Sequence, residues 1–426
     1  MEHSFNILHI LYFLAVILVA TKAMGVLARH WGLPQVAGMV IAGLLVGPAL
    51  FSGLGGSFHG LINPSAEEMD VLNTFSQIGV IMILFSSGLE TDLKELKRSG
   101  LASSLIALAG VLVPIGLGVA GALLFMDGYG AGYCREKLLN ALFVGCILAA
   151  TSVGITVETL RELGKLKTRV GTTVLSAAII DDVIGIIALS LITSLNGGGS
   201  VWITLAKAAG FFVFSIGLGL LIRWLFKKLE KSHPHTRRTG IFSLAVAFLY
   251  ACCAEQFFGI AAITGAYMAG IMLSGLDDTG FVDRRIEISE YMFFAPLFFA
   301  YIGISADFSR FRWGDLAFGL VFVALGVAGK ILGCGGVARL CRYDRRESMT
   351  IGCGMIARGE VALAVYTTGH SLIYTAADGT LLGIDPLVGI ILLIIMTSIL
   401  CPVLLKLQFR RESVSSRSPS ADTHTV

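Results

Sequence analysis

Residues Val170–Leu195 read VGTTVLSAAIIDDVIGIIALSLITSL, a run that is apolar and long enough to cross a bilayer as a helix. Its only charged residues are the adjacent pair Asp181 and Asp182, near the centre of the run. A charge at the centre of a spanning helix costs about 2.5–3.5 kcal/mol on insertion scales, so acidic residues there are typical of ion paths and proton relays. The run therefore predicts a membrane protein and marks the candidate functional residues.

The composition of the whole chain agrees with this prediction. Of its 426 residues, 55% are hydrophobic and 14% are charged, whereas soluble domains carry about 25% charged residues. We therefore predict an all-α polytopic membrane protein with about thirteen transmembrane helices. The apolar segments that have the length of a span cover residues 5–24, 33–50, 70–89, 101–125, 139–157, 170–195, 201–226, 240–254, 258–275, 289–305, 315–338, 348–369 and 383–406.

Basic residues predict the orientation of these spans. If the N-terminus is outside, most Lys and Arg residues fall in inner loops and the C-terminal segment, and the outer loops hold only Arg135, Lys137, Arg310 and Arg312. The positive-inside rule then predicts a multi-pass protein of the cell (inner) membrane with a cytoplasmic C-terminus. Residues 408–426 are rich in Ser and Thr and are predicted to form a disordered cytoplasmic tail.

A second buried charge accompanies the aspartate pair. Lys330 lies near the middle of the eleventh predicted span and requires a carboxylate partner at the same depth, which Asp181 and Asp182 can supply. Neighbouring residues of a helix point about 100° apart. One aspartate can therefore pair with Lys330 while the other faces a water-filled cavity. A purely structural buried ion cluster is the alternative interpretation.

Two spans carry polar residues that favour a broken helix. The fifth contains LAATSVGIT (148–156), with Thr151 and Ser152 beside Gly154. The twelfth contains MIARGEVAL (355–363). Glycine permits local unwinding within a membrane, and the carbonyl groups that are freed can bind cations where they line a cavity.

The charged residues of the twelfth span fit such a break. Glu360 can offset exposed helix N-termini, and Arg358 can offset exposed C-terminal carbonyls. A structural ion pair of Arg358 with Glu360 or with Glu158 is the competing interpretation, and both interpretations can hold together.

Five segments, in this order, resemble one family over nearly the whole membrane region. They are LPQVAGMVIAGLLVGP (33–48), ILFSSGLETDLKEL (83–96), SAAIIDDVIGI (176–186), PLFFAYIGISADF (296–308) and ARGEVAL (357–363). Together they resemble the cation/proton antiporter superfamily, in its monovalent cation:proton antiporter 2 branch. Within that superfamily the chain looks most like NapA-type Na+/H+ antiporters and the membrane domain of Kef-type transporters.

The resemblance implies a fold of inverted five-helix repeats with two crossing broken helices, divided into a core and a dimerisation domain. It implies a homodimer surrounded by membrane lipid. The transmembrane antiporter domain would cover residues 1–407, with the core in 101–195 and 315–407, the dimerisation scaffold in 1–89 and 240–305, and a linker helix in 201–226.

The resemblance also implies roles for individual residues. Asp182 would bind the transported cation, Na+ as the metal ion, and the proton in competition. Asp181 would be the partner of Lys330, and Thr151 and Ser152 would lend oxygens to the ion. The protein would then be an antiporter that exchanges protons for Na+ (or Li+) by alternating access. The Asp181–Lys330 combination favours the electrogenic type.

Other functions are less favoured by the sequence. K+/H+ exchange stays open as the alternative, although the nucleotide-binding domain of Kef proteins is not found here. A cation channel is less favoured because no selectivity-filter motif is visible. An intramembrane protease requires two aspartates that face one peptide bond from separate helices. Adjacent residues of one helix, such as Asp181 and Asp182, do not meet this requirement. We predict no enzyme activity, no cofactor beyond the transported ions, and no nucleic-acid partner.

Overall fold

Helices account for nearly all of the chain that the computed structural model describes. The described residues are 7–31, 33–48, 60–91, 93–125, 134–195, 200–232, 237–276, 278–305, 315–359, 361–362, 365–366, 374–375, 381–382 and 386–415. Each of the thirteen predicted spans overlaps a helix, which confirms the predicted fold class.

In chain order the helices are α1 (Ile7–His30), α2 (Gln35–Val46), α3 (Ala66–Glu90), α4 (Leu93–Phe125), α5 (Cys134–Ala149), α6 (Val153–Glu162), α7 (Arg169–Leu195), α8 (Val201–Ser232), α9 (Arg237–Phe258), α10 (Ala262–Leu273), α11 (Thr279–Ser289), α12 (Ala295–Ile304), α13 (Asp315–Lys330), α14 (Gly336–Leu340), α15 (Arg345–Gly354) and α16 (Leu387–Ser415). Wide π-helical turns connect α11 to α12 (Glu290–Phe294) and α13 to α14 (Ile331–Gly335). The short antiparallel strands β1 (Tyr374–Thr375) and β2 (Leu381–Leu382) pair with each other.

The helices have the character of membrane spans. Within the described residues, ten helical stretches are long and apolar enough to cross a membrane, and α2 and α10 are shorter apolar helices. Large apolar side chains on the outside of the bundle are well exposed, among them Leu101, Val213 and Trp202 at 78%, 74% and 81%. An exterior of this kind is suited to lipid rather than to water.

Two predicted boundaries are corrected by the structure. The tenth span begins at Thr279 rather than at residue 289, because the charged residues of α11 continue the same helix through the π-helical turn. The tail predicted from residue 408 is helical as far as Ser415, since no Gly or Pro interrupts α16 after Pro402. The remainder of that predicted tail, 416–426, lies outside the described residues.

The buried core is divided among several clusters. The largest joins apolar side chains of α4–α7, α13, α15 and α16, with contributions from α2, α3 and α12. A second cluster joins α3 with α8–α11, and a third joins α1–α3 with α12. The α3 and α10 backbones approach closely at Gly88 and Gly270, where a Cβ on either residue would collide with the facing backbone. Such small-residue contacts are typical of helices that pack in membranes.

Candidate ion-binding site

The fifth span is broken at its buried centre. Its first half, α5, ends at Ala149 and its second half, α6, begins at Val153, with Ser152 in an extended conformation between them. Thr151 and Ser152 are fully buried at this break. The Thr151 hydroxyl donates to the carbonyl of Ala149 at 3.4 Å, whereas the Ser152 Oγ has no hydrogen-bond partner among the described residues. The break therefore contains a buried hydroxyl oxygen whose lone pairs are available to a ligand.

The twelfth span is broken at the same place in space. Here α15 ends at Gly354, and residues 356–359 are non-helical. The two breaks are joined directly, because the Ser152 N–H donates to the Ala357 carbonyl at 2.8 Å and the Thr156 hydroxyl donates to the Gly354 carbonyl at 2.7 Å. The predicted crossing of two broken helices is thus confirmed as part of the fold.

Arg358 closes this crossing with its guanidinium group. The side chain is fully buried, and Nη1 donates to the carbonyls of Met355, Ile356 and Ala357 at 3.1, 3.1 and 3.3 Å. Nη2 reaches across to the carbonyl of Leu148 in the last turn of α5, at 2.6 Å. The cation therefore compensates the negative ends of two half-helices at once.

The competing interpretation, an ion pair of Arg358 with Glu158, is not formed in the structure. Glu158 lies on α6 and accepts from Arg161 Nη1 at 2.9 Å, one turn further along its own helix. The carbonyls at the two helix ends take the place of a carboxylate around Arg358. Glu360, the other predicted partner, lies outside the described residues.

Lys330 and Asp181 form a buried ion pair. Lys330 Nζ donates to Asp181 Oδ1 at 2.7 Å, and both side chains are at most 1% exposed. Lys330 is the last residue of α13, immediately before the π-helical turn that begins at Ile331. Such turns recur at functional sites, where they change the direction of the side chains beside them.

Asp182 occupies the next position of α7, about 100° around the helix axis from Asp181. It is 5% exposed. Because α5 and α6 both pack against α7, the Asp pair and the Thr151–Ser152 break lie on neighbouring helices of the core, and Lys330 joins them through Asp181.

Gly110 on α4 is a residue of this region that sequence reasoning missed. A Cβ at this position would lie 2.6 Å from Cys334 Sγ, 3.1 Å from Asp181 Oδ1 and 3.4 Å from Lys330 Nζ. The absence of a side chain thus leaves the space that the ion pair occupies. In the sequence Gly110 is one of many glycines in apolar segments, and only its position in the fold distinguishes it.

A second charged cluster, also missed, surrounds the C-terminal turn of α6. Arg161 Nη1 donates to Glu290, in the π-helical turn after α11, as well as to Glu158, and Arg161 also lies near Glu90 at the end of α3. The next residue, Glu162, accepts from the backbone N–H of Gln35 at 2.8 and 2.9 Å and so caps the start of α2. The second half of the broken span is thereby bonded to α2, to α3 and to the π-helical turn that follows α11.

Comparison with known proteins identifies the family. The family profile described as "Sodium/hydrogen exchanger, transmembrane" matches residues 13–407. The chain belongs to this exchanger family. The resemblance to cation/proton antiporters that the five sequence segments carry is therefore confirmed.

Two relatives from Bacillus cereus illustrate the similarity. The chain is 35% identical to the Na(+)/H(+)-K(+) antiporter GerN over 404 residues, which are 93% of this chain and 95% of that protein. It is 36% identical to the probable Na(+)/H(+) antiporter GerT over 360 residues, 84% of this chain and 89% of that protein. Sequence similarity thus extends over almost the whole membrane region.

The fold is also similar to a solved structure. The sodium proton antiporter MjNhaP1 from Methanocaldococcus jannaschii matches with a TM-score of 0.72 over 98% of this chain and all of that chain. The sequence identity is 18%, so this likeness concerns the fold alone. It supports the arrangement of spans described above.

Proposed function

We propose that this exchanger-family protein is a secondary antiporter that exchanges protons for a monovalent cation, with Na+ (and Li+) as the main cation. The observation that carries the proposal is the Asp181–Asp182 pair, buried in α7 within the core region that holds the crossing of two broken helices and Lys330. The names of the relatives GerN and GerT both include Na+ and H+, and this supports the same two transported ions. The name GerN includes K+, and this favours K+/H+ exchange as the second candidate.

Asp182 is the proposed exchange site. An ionised carboxylate is costly in a low-dielectric interior, and either a proton or a dehydrated cation removes that charge. If only the neutralised site can cross between the two facing states, each crossing carries one ion or the other. This rule alone couples the flux of protons to the flux of cations. Thr151 and Ser152 supply further oxygens to the cation in this proposal.

The Asp181–Lys330 pair is proposed to set the charge that moves in each cycle. The two groups are 2.7 Å apart and buried, so the charge of each stabilises the charge of the other. If Lys330 releases its proton when the cation arrives, two protons exchange for one cation and the cycle is electrogenic.

The parts that move are assigned by the same proposal. The core (101–195 and 315–407) moves against the scaffold (1–89 and 240–305), with 201–226 as the linker helix, in a homodimer whose C-terminus is cytoplasmic. In this state the C-terminal turn of α6 is bonded to α2 and α3 through Glu162 and Arg161. Motion of the core therefore requires these bonds to break.

Reconstituted protein tests the assignment. In proteoliposomes, a pH dye should report proton movement when Na+ or Li+ is added, and Asp182→Asn should abolish it. Asp70→Asn, at an exposed position of α3, is the matched control and should retain the wild-type rate. Wild-type flux in Asp182→Asn would refute the role of Asp182.

The same proteoliposomes test the two alternatives. Saturable exchange distinguishes an antiporter from a channel, which would carry an ohmic current. Proton movement on addition of K+ decides whether K+/H+ exchange also occurs.

A further inference from the structure

The last helix contacts the break of the twelfth span through two buried hydroxyl groups. Thr397 and Ser398 are adjacent residues of α16, and both are fully buried. The backbone N–H of Arg358 donates to Thr397 Oγ1 at 3.0 Å, and Ser398 Oγ donates to the Arg358 carbonyl at 3.2 Å. Both polar groups of one peptide residue in the break are thus satisfied by a neighbouring, continuous helix.

The Thr397 hydroxyl is oriented for this task. Its proton is donated to the Leu393 carbonyl in the preceding turn of α16, at 2.7 Å, which leaves an oxygen lone pair for the Arg358 N–H. A broken helix cannot supply that acceptor from its own preceding turn. Without the hydroxyl, the buried N–H would lose its partner, at the full cost of desolvation.

Arg358 in turn connects the two breaks. Its guanidinium holds the carbonyls of Met355, Ile356 and Ala357 on one side and that of Leu148 on the other. The position of the Arg358 backbone therefore influences where both half-helix ends lie. A continuous set of hydrogen bonds runs from α16 through Arg358 to the Leu148 carbonyl in the last turn of α5, three residues before Thr151.

We propose that Thr397 and Ser398 are positioning residues of the ion site. They hold the backbone of Arg358, and through it the carbonyl and hydroxyl oxygens of the two breaks, at the spacing that a bound cation requires. The inference rests on the proposed antiport at this crossing and adds α16 to the site. Ligand oxygens bind well only when supporting hydrogen bonds fix them.

The test uses variants that keep the shape of the side chain. Thr397→Val removes the acceptor, Thr397→Ser retains it, and Ser398→Ala removes the second bond. Ser243→Ala is the matched control: its hydroxyl is also buried but donates only to Thr239 in the preceding turn of α9. Each variant is assayed for the apparent KM for Na+, Li+ and K+ in proteoliposomes. The Na+-induced rise in melting temperature is measured in detergent.

We expect Thr397→Val to raise the apparent KM for Na+ by about fivefold to tenfold, since the loss of one buried hydrogen bond changes an equilibrium constant by about this factor. The ratio of the KM values for Na+, Li+ and K+ should change, and the Na+-induced thermal shift should shrink. Thr397→Ser should stay within about twofold of wild type, and Ser243→Ala should match it. Ser398→Ala should change the KM in the same direction as Thr397→Val.

The proposal is overturned if Thr397→Val and Ser398→Ala lower the melting temperature while the KM values and the Na+ thermal shift stay at wild-type levels. An equal change of KM in Ser243→Ala would also overturn it. If Thr397→Val does not fold, Ser398→Ala decides the question. Absence of cation-coupled proton flux in the wild type would instead refute the proposed function, and the thermal shift would still report cation binding separately.

Discussion

Replacement of Gly110 by alanine would place one methyl group against the Asp181–Lys330 ion pair. The new Cβ would lie 2.6 Å from Cys334 Sγ and 3.1 Å from Asp181 Oδ1. Ordinary contact begins at 3.4 Å, so the sulfur would have to move by nearly 1 Å and the carboxylate by a few tenths of an ångström. Overpacking of this kind costs about 1–3 kcal/mol in a close-packed core.

Gly116 on the same helix supplies the control. A Cβ at Gly116 meets no atom within 4 Å, and alanine in a helix is favoured over glycine by about 0.5–1 kcal/mol. The two substitutions are chemically identical and should have opposite signs. Melting in detergent should show Gly110→Ala below wild type and Gly116→Ala at or above it.

The double variant Gly110→Ala/Cys334→Ala locates the cause. Removal of the sulfur relieves the shortest contact, so the double variant should be more stable than the sum of the single changes predicts. In proteoliposomes, Gly110→Ala should lower the maximal rate because the pair cannot keep its 2.7 Å bond. Stability and flux equal to those of Gly116→Ala would refute the reasoning.

Three further substitutions test the buried charges. Lys330→Gln should destabilise the protein by about 3–5 kcal/mol, because it leaves the Asp181 carboxylate buried without its partner. Current measurements should also show less charge moved per cation. Unchanged charge movement would mean that Lys330 carries none of the exchanged protons. Arg358→Lys keeps the charge but loses the planar fork that reaches two helix ends, so flux and melting temperature should both fall. Arg161→Gln should lower the melting temperature more than Arg169→Gln. Arg161 bonds the buried carboxylate of Glu290, whereas Arg169 lies 3.8 Å from the partly exposed carboxylate of Glu347. Equal changes in melting temperature would contradict this expectation.

Much of the fold could be predicted from hydropathy and glycine alone. Segments of apolar residues long enough for a bilayer leave helix as the main solution, because every backbone polar group must be satisfied internally. The break in the fifth span was indicated by Thr151, Ser152 and Gly154, since these residues interrupt an otherwise apolar helix. Boundaries were less predictable, as at Thr279, because charged residues can continue a helix beyond the hydrocarbon region.

The candidate site was predictable only where charge demands a partner. A lysine at the depth of Lys330 requires a carboxylate, and few lie at that depth, so its contact with the Asp pair followed from the sequence. The selection of Asp181 rather than Asp182 came from family resemblance. The carbonyl partners of Arg358, the space at Gly110 and the hydroxyl of Thr397 depend on which helices become neighbours, and local sequence patterns do not encode that.

The charged groups around Asp182 leave little net charge when Asp182 itself is set aside. Lys330 and Asp181 cancel as a pair. Each helix C-terminus carries about half a negative charge, so the ends of α5 and α15 together offset the one positive charge of Arg358, which bonds both. Against such a neutral background, the proposed mechanism leaves the moving charge to two groups, Asp182 with its ligand and Lys330 with its proton. Neutralisation of Arg358 by Met would upset this balance at a distance from the cation, and should lower the rate even where Asp182 and Lys330 are intact.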